Sequence, residues 1–434
     1  MPELFQLLTV EQANVRLAAY LAPLGRVEHV GLLDALDRVT AAELHAPSDL
    51  PSFARSTMDG FAVRAADTYG ASEGLPAYLL IAGEVPMGRA TDLQLRPGQA
   101  ARIHTGGMLP AGADAVVMVE QTQPLGEREV EVLRPVALGE NVIPIGDDVR
   151  AGQLLFGAGQ RLRPQDLGGL AGVGIASVPV IARPRVAILA SGDEVVPAER
   201  DAAPGQVRDI NSYTIAAQTR RAGGAPILCG IAPDDDAALR QMASAALAQA
   251  DVLIISAGSS VSTRDMTARV IGELGQPGVL VHGVAMHPGK PTILAVAGGK
   301  PVFGLPGNPV SSMVAFDLFV RPALLRMLGV LATENTENTE KKDTEQAQSS
   351  TFSVGSVRSL ATVRARLARN VASHAGSEDF VPVQLAERDG EIWAEPVFGK
   401  SNLIFTLARA DGMLSVPLDK AGLYAGDEVM VRLF

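Results

Sequence analysis

At 434 residues and 47% apolar content the chain is long enough for several domains, each with its own core. Its formal net charge of −11, without any basic stripe, argues against nucleic acid as a partner. The single Cys229 excludes an intrachain disulfide framework and a thiolate-rich metal site; within Ile227-Leu228-Cys229-Gly230-Ile231 it reads as a small buried hydrophobe.

No stretch approaches 18 apolar residues without Gly, Pro or charge. Met1-Pro2-Glu3-Leu4-Phe5 carries no basic segment leading into a long apolar one. We therefore expect no membrane span and a cytoplasmic protein.

Taken in order, Thr9 caps a first helix, with Gln12 placed for a capping box and Val10, Ala13, Val15 and Leu17 starting an apolar stripe. A second helix is expected over 32–44. A polar loop, 47–68, then leads into the strand-like Phe61-Ala62-Val63, with Asp59 before Gly60 as an ordinary turn pair when taken alone. From 77 to about 134 short alternating runs and frequent turns predict a small β module. Thr105 stands at one of its strand ends, where a turn hydroxyl is the plain reading. Residues 139–183 return to a mixed pattern, with Pro164 opening a helix over 165–173.

Between 185 and 328 strands alternate with helices. Strands are expected at 185–190, 226–232 and 251–257, helices at 213–222, 237–250 and 266–274. Two further strand pairs and a long helix over 310–328 follow. Such alternation means βαβ units and a parallel sheet, in which ligands bind beyond the carboxyl ends of the strands. The polar repetitive stretch 333–350 predicts a disordered tether. Short strands from 352 to 434 predict a small β-barrel or sandwich.

Four loops at the expected strand ends carry chemistry: Ser191-Gly192-Asp193-Glu194, 257–265, His287-Pro288-Gly289-Lys290-Pro291, and 305–312. Ser259-Ser260-Val261-Ser262 and Asn308-Pro309-Val310-Ser311 suit anion binding by backbone N–H groups at helix starts. Neither is a Walker A loop or a dinucleotide fingerprint. Lys290 is either a fixed cation for phosphate or a surface lysine in a turn. Asp193, Glu194, Asp234 and Asp265 each follow a strand, so a parallel sheet would bring them to one rim. Oxygen-only ligation of that kind suits Mg²⁺ carrying a substrate phosphate. Asp234, Asp235 and Asp265 are equally good helix N-caps.

In order, SGDE (191–194), SAGSSVSTRD (256–265), PGKP (288–291) and GLPGNPVSS (304–312) resemble the molybdopterin molybdenumtransferase family, to which the gephyrin C-terminal region belongs. STMDGFAVRAADT (56–68), AGEVPMG (82–88), RIHTGGMLPAGADAVVMVE (102–120) and GENVIPIGDDVRAG (139–152) extend the resemblance over nearly all of the chain but the tether. It implies a multidomain α/β and β fold. A discontinuous mixed α/β subdomain (1–46 plus 139–183) is interrupted by the β module (47–138). A molybdopterin-binding domain with a mainly parallel sheet (184–330), a linker (331–350) and a C-terminal β-barrel (351–434) follow.

The resemblance also implies a Mg²⁺-dependent homodimeric transferase acting on small molecules, which inserts molybdate into adenylated molybdopterin and releases AMP. The adenylyltransferase and acceptor molybdoenzymes would be its protein partners. Carried over by position, Asp59, Thr105, Glu194, Asp234 and Asp265 are the catalytic set, with Glu194, Asp234 and Asp265 on the metal. Asp59 would come from the neighbouring module, of the same or of the other protomer, to close the cleft. Ser191, Gly192, Asp193, Gly258, Ser259, Ser260, Ser262, His287, Pro288, Gly289, Lys290, Pro306, Gly307, Asn308, Pro309 and Ser401 are the substrate-binding set. Ile143, Gly283, His287 and Pro382 stand at or near positions where the family commonly carries a base. The retained acids favour the insertase; the missing bases favour a non-catalytic molybdopterin-binding scaffold, and an adenylyltransferase is a third reading.

Overall fold

The computed structural model describes residues 7–257, 261–330, 362–374, 376–388 and 390–434, with the backbone alone at 261–264. The expected tether lies outside these residues. The chain forms two compact units, one of residues 29–36 and 40–180, the other of 1–28, 37–39 and 181–434.

The first helix, α1 (Val10–Ala18), belongs to the larger unit. It is capped as expected, with reciprocal 3.1 Å hydrogen bonds between Thr9 and Gln12. Val10, Ala13 and Leu17 are buried, but Val15 of the expected stripe is exposed. The smaller unit corrects the second helix. Only one short turn, Leu33–Ala35, forms. Asp37 adopts a left-handed backbone at φ 61° and ends it. Thr40 instead bonds the 157–160 segment through its hydroxyl and N–H.

The β module contains β1 (Gly60–Val63), β2 (Ala77–Glu84), β3 (Gln99–Ile103), β4 (Ala115–Met118), β5 (Thr122–Leu125) and β6 (Glu129–Val132), in the sheet order β4-β1-β3-β2-β6-β5. Phe61, Val63, Leu79, Ala100, Val117, Val130 and Val132 alternate inward to make its core. Helix α2 (Pro164–Gly172) starts on its proline, one residue earlier than expected.

The larger unit is built on β7 (Arg185–Ser191), α3 (Asn211–Arg221), β8 (Ala225–Ala232), α4 (Asp236–Gln249), β9 (Val252–Ala257) and α5 (Val261–Glu273). Strands β10 (Pro277–His282), β11 (Met286–His287), β12 (Ile293–Ala297) and β13 (Lys300–Pro306) follow. The sheet order is β8-β7-β9-β13-β12-β10. Its first four strands pair parallel and the last two add antiparallel. Val186 to Leu189 and Val252 to Ile255 are fully buried because helices cover both faces. The expected long helix forms as α6 (Pro309–Ala315), a π turn at Phe316–Val320, and α7 (Arg321–Met327). Phe303, Phe316 and Phe319 fill the core beneath it.

The final segment is a barrel of β14 (Thr362–Leu367), β15 (Glu378–Arg388), β16 (Glu391–Pro396), β17 (Gly412–Val416) and β18 (Glu428–Leu433). It runs β15-β16-β14-β18-β17 and closes by β15–β17 pairing. Strand β11 adds alongside β15 in parallel, with His287 opposite Asp379. No described helix is long and apolar enough to cross a membrane.

At the amino end of the parallel sheet, Asp251 accepts from Arg26 Nη1 and Nη2 at 2.8 and 2.6 Å and from the Arg185 N–H at 2.8 Å. Burial opposes its charge, but the Arg26 and Arg185 hydrogen bonds prevail and hold its pKa at about 2, against an ordinary 3.8. Its contribution to stability is therefore complete above about pH 4 and lost as pH falls through about 2. Asp251→Asn should lower unfolding stability at pH 7 by about 2 kcal/mol. In urea titrations at pH 7 and pH 2 that difference should shrink at the acid end; an equal difference at both would assign the loss to packing.

Candidate functional site

The parallel strands end level with one another. Ala232, Ser191, Ala257 and Pro306 are successive register partners across β8, β7, β9 and β13. The loops that follow therefore emerge as one rim.

At one end of this row the structure brings Ser191, Asp193 and Asp234 together. The Ser191 hydroxyl donates to Asp234 Oδ1 at 3.4 Å, and the Asp234 N–H donates to Asp193 Oδ1 at 3.1 Å. Gly192 between them has φ +148°, and a Cβ there would lie 2.7 Å from Glu194 Oε2. The glycine is thus what lets the Glu194 carboxylate fold back over the loop. The helix-capping role falls to Asp235, which accepts from Ala238 N at 2.8 Å, and this leaves Asp234 to the rim. A hollow of about 520 Å³ opens beside Gly192 and Asp193, with Arg200, Tyr213 and Leu228 in its walls.

At the other end a cleft of about 260 Å³ is lined by His287, Gly289, Lys290, Pro306, Asn308 and Ser401, with Pro288 among its further walls. Pro309 takes the first position of α6, where a missing N–H costs nothing. Asn308 donates from Nδ2 to Ser401 Oγ at 3.1 Å, and the Val310 N–H donates to the Ser401 carbonyl at 3.1 Å. The barrel loop and the helix start are thereby joined at the cleft. Gly307 accepts at its carbonyl from Asn211 Nδ2 at 2.8 Å, and the same amide donates to Ser256 Oγ at 2.7 Å. Asn211 is buried and holds two strand-end loops at once. His287 Nδ1 lies 3.8 Å from Asp379 Oδ1, on the paired barrel strand. Asn211 and Asp379 escape a reading by loops, since neither lies in a Gly- or Pro-rich segment.

Asp265 stands apart from that rim contact. Helix α5 begins at Val261, so Asp265 is exposed inside its second turn and is not the cap. Its charge bears on Arg269, which itself pairs with Asp236. Among the described residues no group of three or more His, Cys, Asp or Glu is gathered to hold a metal. Gly258, Ser259 and Ser260, and the side chain of Ser262, lie outside the described residues.

In the smaller unit Asp59 and Thr105 meet directly. Thr105 donates its N–H to Asp59 Oδ1 at 2.7 Å and its hydroxyl at 3.2 Å. That backbone hydrogen bond is the main reason the Asp59 carboxyl sits below the usual carboxylate range. Gly60 makes the turn possible, with φ +156° and no room for a Cβ, which would fall 2.0 Å from the Val117 carbonyl oxygen.

Family models match along the chain: the MoeA N-terminal region (domain I and II) at residues 8–174, a probable molybdopterin binding domain at 187–326, and the MoeA C-terminal region (domain IV) at 364–434. A molybdopterin molybdenumtransferase 2 of Mycobacterium tuberculosis is 33% identical over 426 residues, covering 97% of this chain and 98% of that one. A molybdopterin molybdenumtransferase of Bacillus subtilis is 32% identical over 423 residues, covering 96% and 92%. In structure, a molybdopterin biosynthesis moea protein from Pyrococcus horikosii superimposes with a TM-score of 0.80 at 36% identity, covering 99% of both chains. The chain belongs to the molybdopterin molybdenumtransferase family. The resemblance carried by its loops is thus borne out over the whole length, and so is the expected architecture of α/β sheet and C-terminal barrel.

For this transferase Gly192→Ala is a sharp test of the rim. The strained backbone should cost about 1–3 kcal/mol, read as a lower Tm. The displaced Glu194 carboxylate should cost more in turnover than the fold loses in stability. A variant with unchanged turnover at a temperature where it remains folded would separate Glu194 from the chemistry.

Proposed function

We propose that this chain inserts molybdate into adenylated molybdopterin and releases AMP, yielding molybdenum cofactor. The observation that carries the reading is the single row of strand ends with a hollow at either end. The substrate has two halves, a pterin and a nucleotide, joined by phosphates, and a row of polar loops between two hollows suits such a molecule. The cleft of Pro306, Asn308, Lys290 and Ser401 takes the pterin end and the molybdate. The Ser191, Asp193 and Asp234 side takes the phosphates and nucleotide.

Lys290 supplies the fixed cation, while Ser401 and Asn308 supply neutral donors that orient an anion without needing a counter-charge. Asp59 and Thr105 of the β module belong to the catalytic set by the family resemblance. We further propose a cytoplasmic homodimer that receives its substrate from the adenylyltransferase and passes its product to acceptor molybdoenzymes.

Mg²⁺ fits the donor set as an ion brought with the substrate. The rim offers the carboxylates of Asp193 and Asp234 beside the Ser191 hydroxyl, and Mg²⁺ is commonly bound by one or two carboxylates with phosphate and water completing its shell. Glu194 and Asp234 at the rim would hold it, with Asp265, which stands apart from them inside α5, as the third acid, and the ion would neutralise charge on the phosphates.

The purified chain should release AMP when given adenylated molybdopterin, molybdate and Mg²⁺, and EDTA should stop the release. Glu194→Ala and Asp265→Ala should each lower the rate by about a hundredfold with Tm unchanged. Absence of AMP from the wild type would defeat the insertase reading. Full rates in both variants would defeat only the metal assignment.

A further inference from the structure

Next to Asp59 lies the imidazole of His104, inside the RIHTGG stretch, to which the family resemblance gives no role. His104 follows β3, the strand that lies between β1 and β2 in the sheet. Antiparallel pairing sets Ile103 opposite Gly60, so Asp59 comes to one side of His104. Parallel pairing sets Arg102 opposite Glu84, which comes to the other. The result is a line of three side chains: Glu84 Oε1 is 3.3 Å from His104 Nε2, and His104 Nδ1 is 3.6 Å from Asp59 Oδ1.

The contacts on Asp59 are one-sided. The Thr105 N–H, the Thr105 hydroxyl and His104 Nδ1 all converge on Oδ1. Among the contacts of the described residues none reaches Oδ2. A carboxylate held by one oxygen through two hydrogen bonds from Thr105, with His104 Nδ1 as a longer ion-pair contact at 3.6 Å, has that oxygen engaged, and its second oxygen is left to accept from or ligate something outside the chain.

We propose that His104, steadied by Glu84, is a positioning residue that fixes the Asp59 carboxylate so that Oδ2 is the oxygen offered to substrate. This rests on the reading of Asp59 as part of the insertase site. Both of its ring contacts are attractive only while both ring nitrogens carry protons, because each nitrogen faces a carboxylate. The charged groups around the ring are Asp59 from the turn before β1, Glu84 from the end of β2 and Arg102 from its own strand. The Arg102 guanidinium lies over the Phe61 ring at 6.0 Å and leaves the two carboxylates as the partners of His104. His104 is also among the groups that hold the Asp59 carboxyl low, after the Thr105 backbone hydrogen bond.

The test uses the full chain and the substitutions His104→Gln, Glu84→Gln and Asp59→Asn. His104→Gln should lower kcat/KM for AMP release by about tenfold, since a misaimed group loses rate without losing binding elsewhere. Glu84→Gln should lie between it and wild type, and Tm should stay at the wild-type value for both exposed residues. The double variant Asp59→Asn/His104→Gln should be no slower than Asp59→Asn alone, because the two act as one unit. Without substrate, ¹³C NMR of aspartate side chains should show Asp59 titrating higher in His104→Gln. Additive losses, or an Asp59 titration identical to wild type, would overturn the proposal. Should wild type release no AMP, the insertase reading fails, and the NMR titration alone then decides whether His104 holds Asp59.

Discussion

The site depends on strand register. Parallel pairing with residue-for-residue alignment puts Ser191, Ala257 and Pro306 side by side, and every loop that follows inherits that alignment. A slip of one residue would turn the fully buried runs of β7 and β9 to the opposite face and move each loop by about 3.3 Å. Asp251 guards against such a slip at the far end. Its N–H donates to the Arg185 carbonyl at 2.8 Å, its carboxylate takes the Arg185 N–H, and Arg26 clamps it from α1's side of the chain. Locking the strand starts thus fixes the strand ends, about six residues away.

The C-terminal barrel is part of this arrangement and not an appendage to it. Phe380 and Leu407 lie in the same core as Phe303 and Phe316, so burial of apolar surface couples barrel to sheet. Strand β11 hydrogen-bonds into the barrel while the loop after it lines the cleft. The π turn at Phe316–Val320 carries Asp317 into the interior, where burial pushes its carboxyl up against the pull of Arg321, Arg432 and Arg221. Arg432 is on the last barrel strand. The helix that starts at the cleft with Asn308 is joined to the barrel at its beginning, where Asn308 Nδ2 and the Val310 N–H both bond Ser401.

What could be read from residues alone follows the physics of each signal. Apolar runs ending in Gly, Pro and carboxylates reveal parallel strands and their loops, because both signals are local. The 32–44 stretch misleads for the opposite reason: its apolar spacing fits a helix, but Asp37 takes a left-handed backbone and the hydroxyl of Thr40 serves a distant loop. Asp265 was legible as an acid after a strand, yet whether it capped α5 or lay within it depends on where Val261 starts the helix. Asn211, Asp379, Glu84 and His104 stayed hidden because each acts through a residue far away in sequence. His104 and Glu84 meet only because β2 and β3 pair in parallel, and Asp379 meets His287 only because the barrel borrows β11.

The anion site proposed for the cleft lies in an acidic chain and is sparse in bases. Among the described residues lining the cleft, Lys290 is the one lysine or arginine; His287, beside it, faces the buried Asp379. Most of the remaining polar lining is neutral: Asn308, Ser311, Thr267 and Ser401. Neutral donors held in place stabilise an anion through fixed dipoles, and their effect grows as water is excluded. A lysine-rich site attracts anions at a distance but discriminates poorly between them, whereas oriented hydroxyls and amides select by shape. In the proposed reading, binding of the oxyanion at this cleft rests on the placement of the Asn308 and Ser401 pair. That placement is what the shared core, the β11 pairing and the level strand ends together secure.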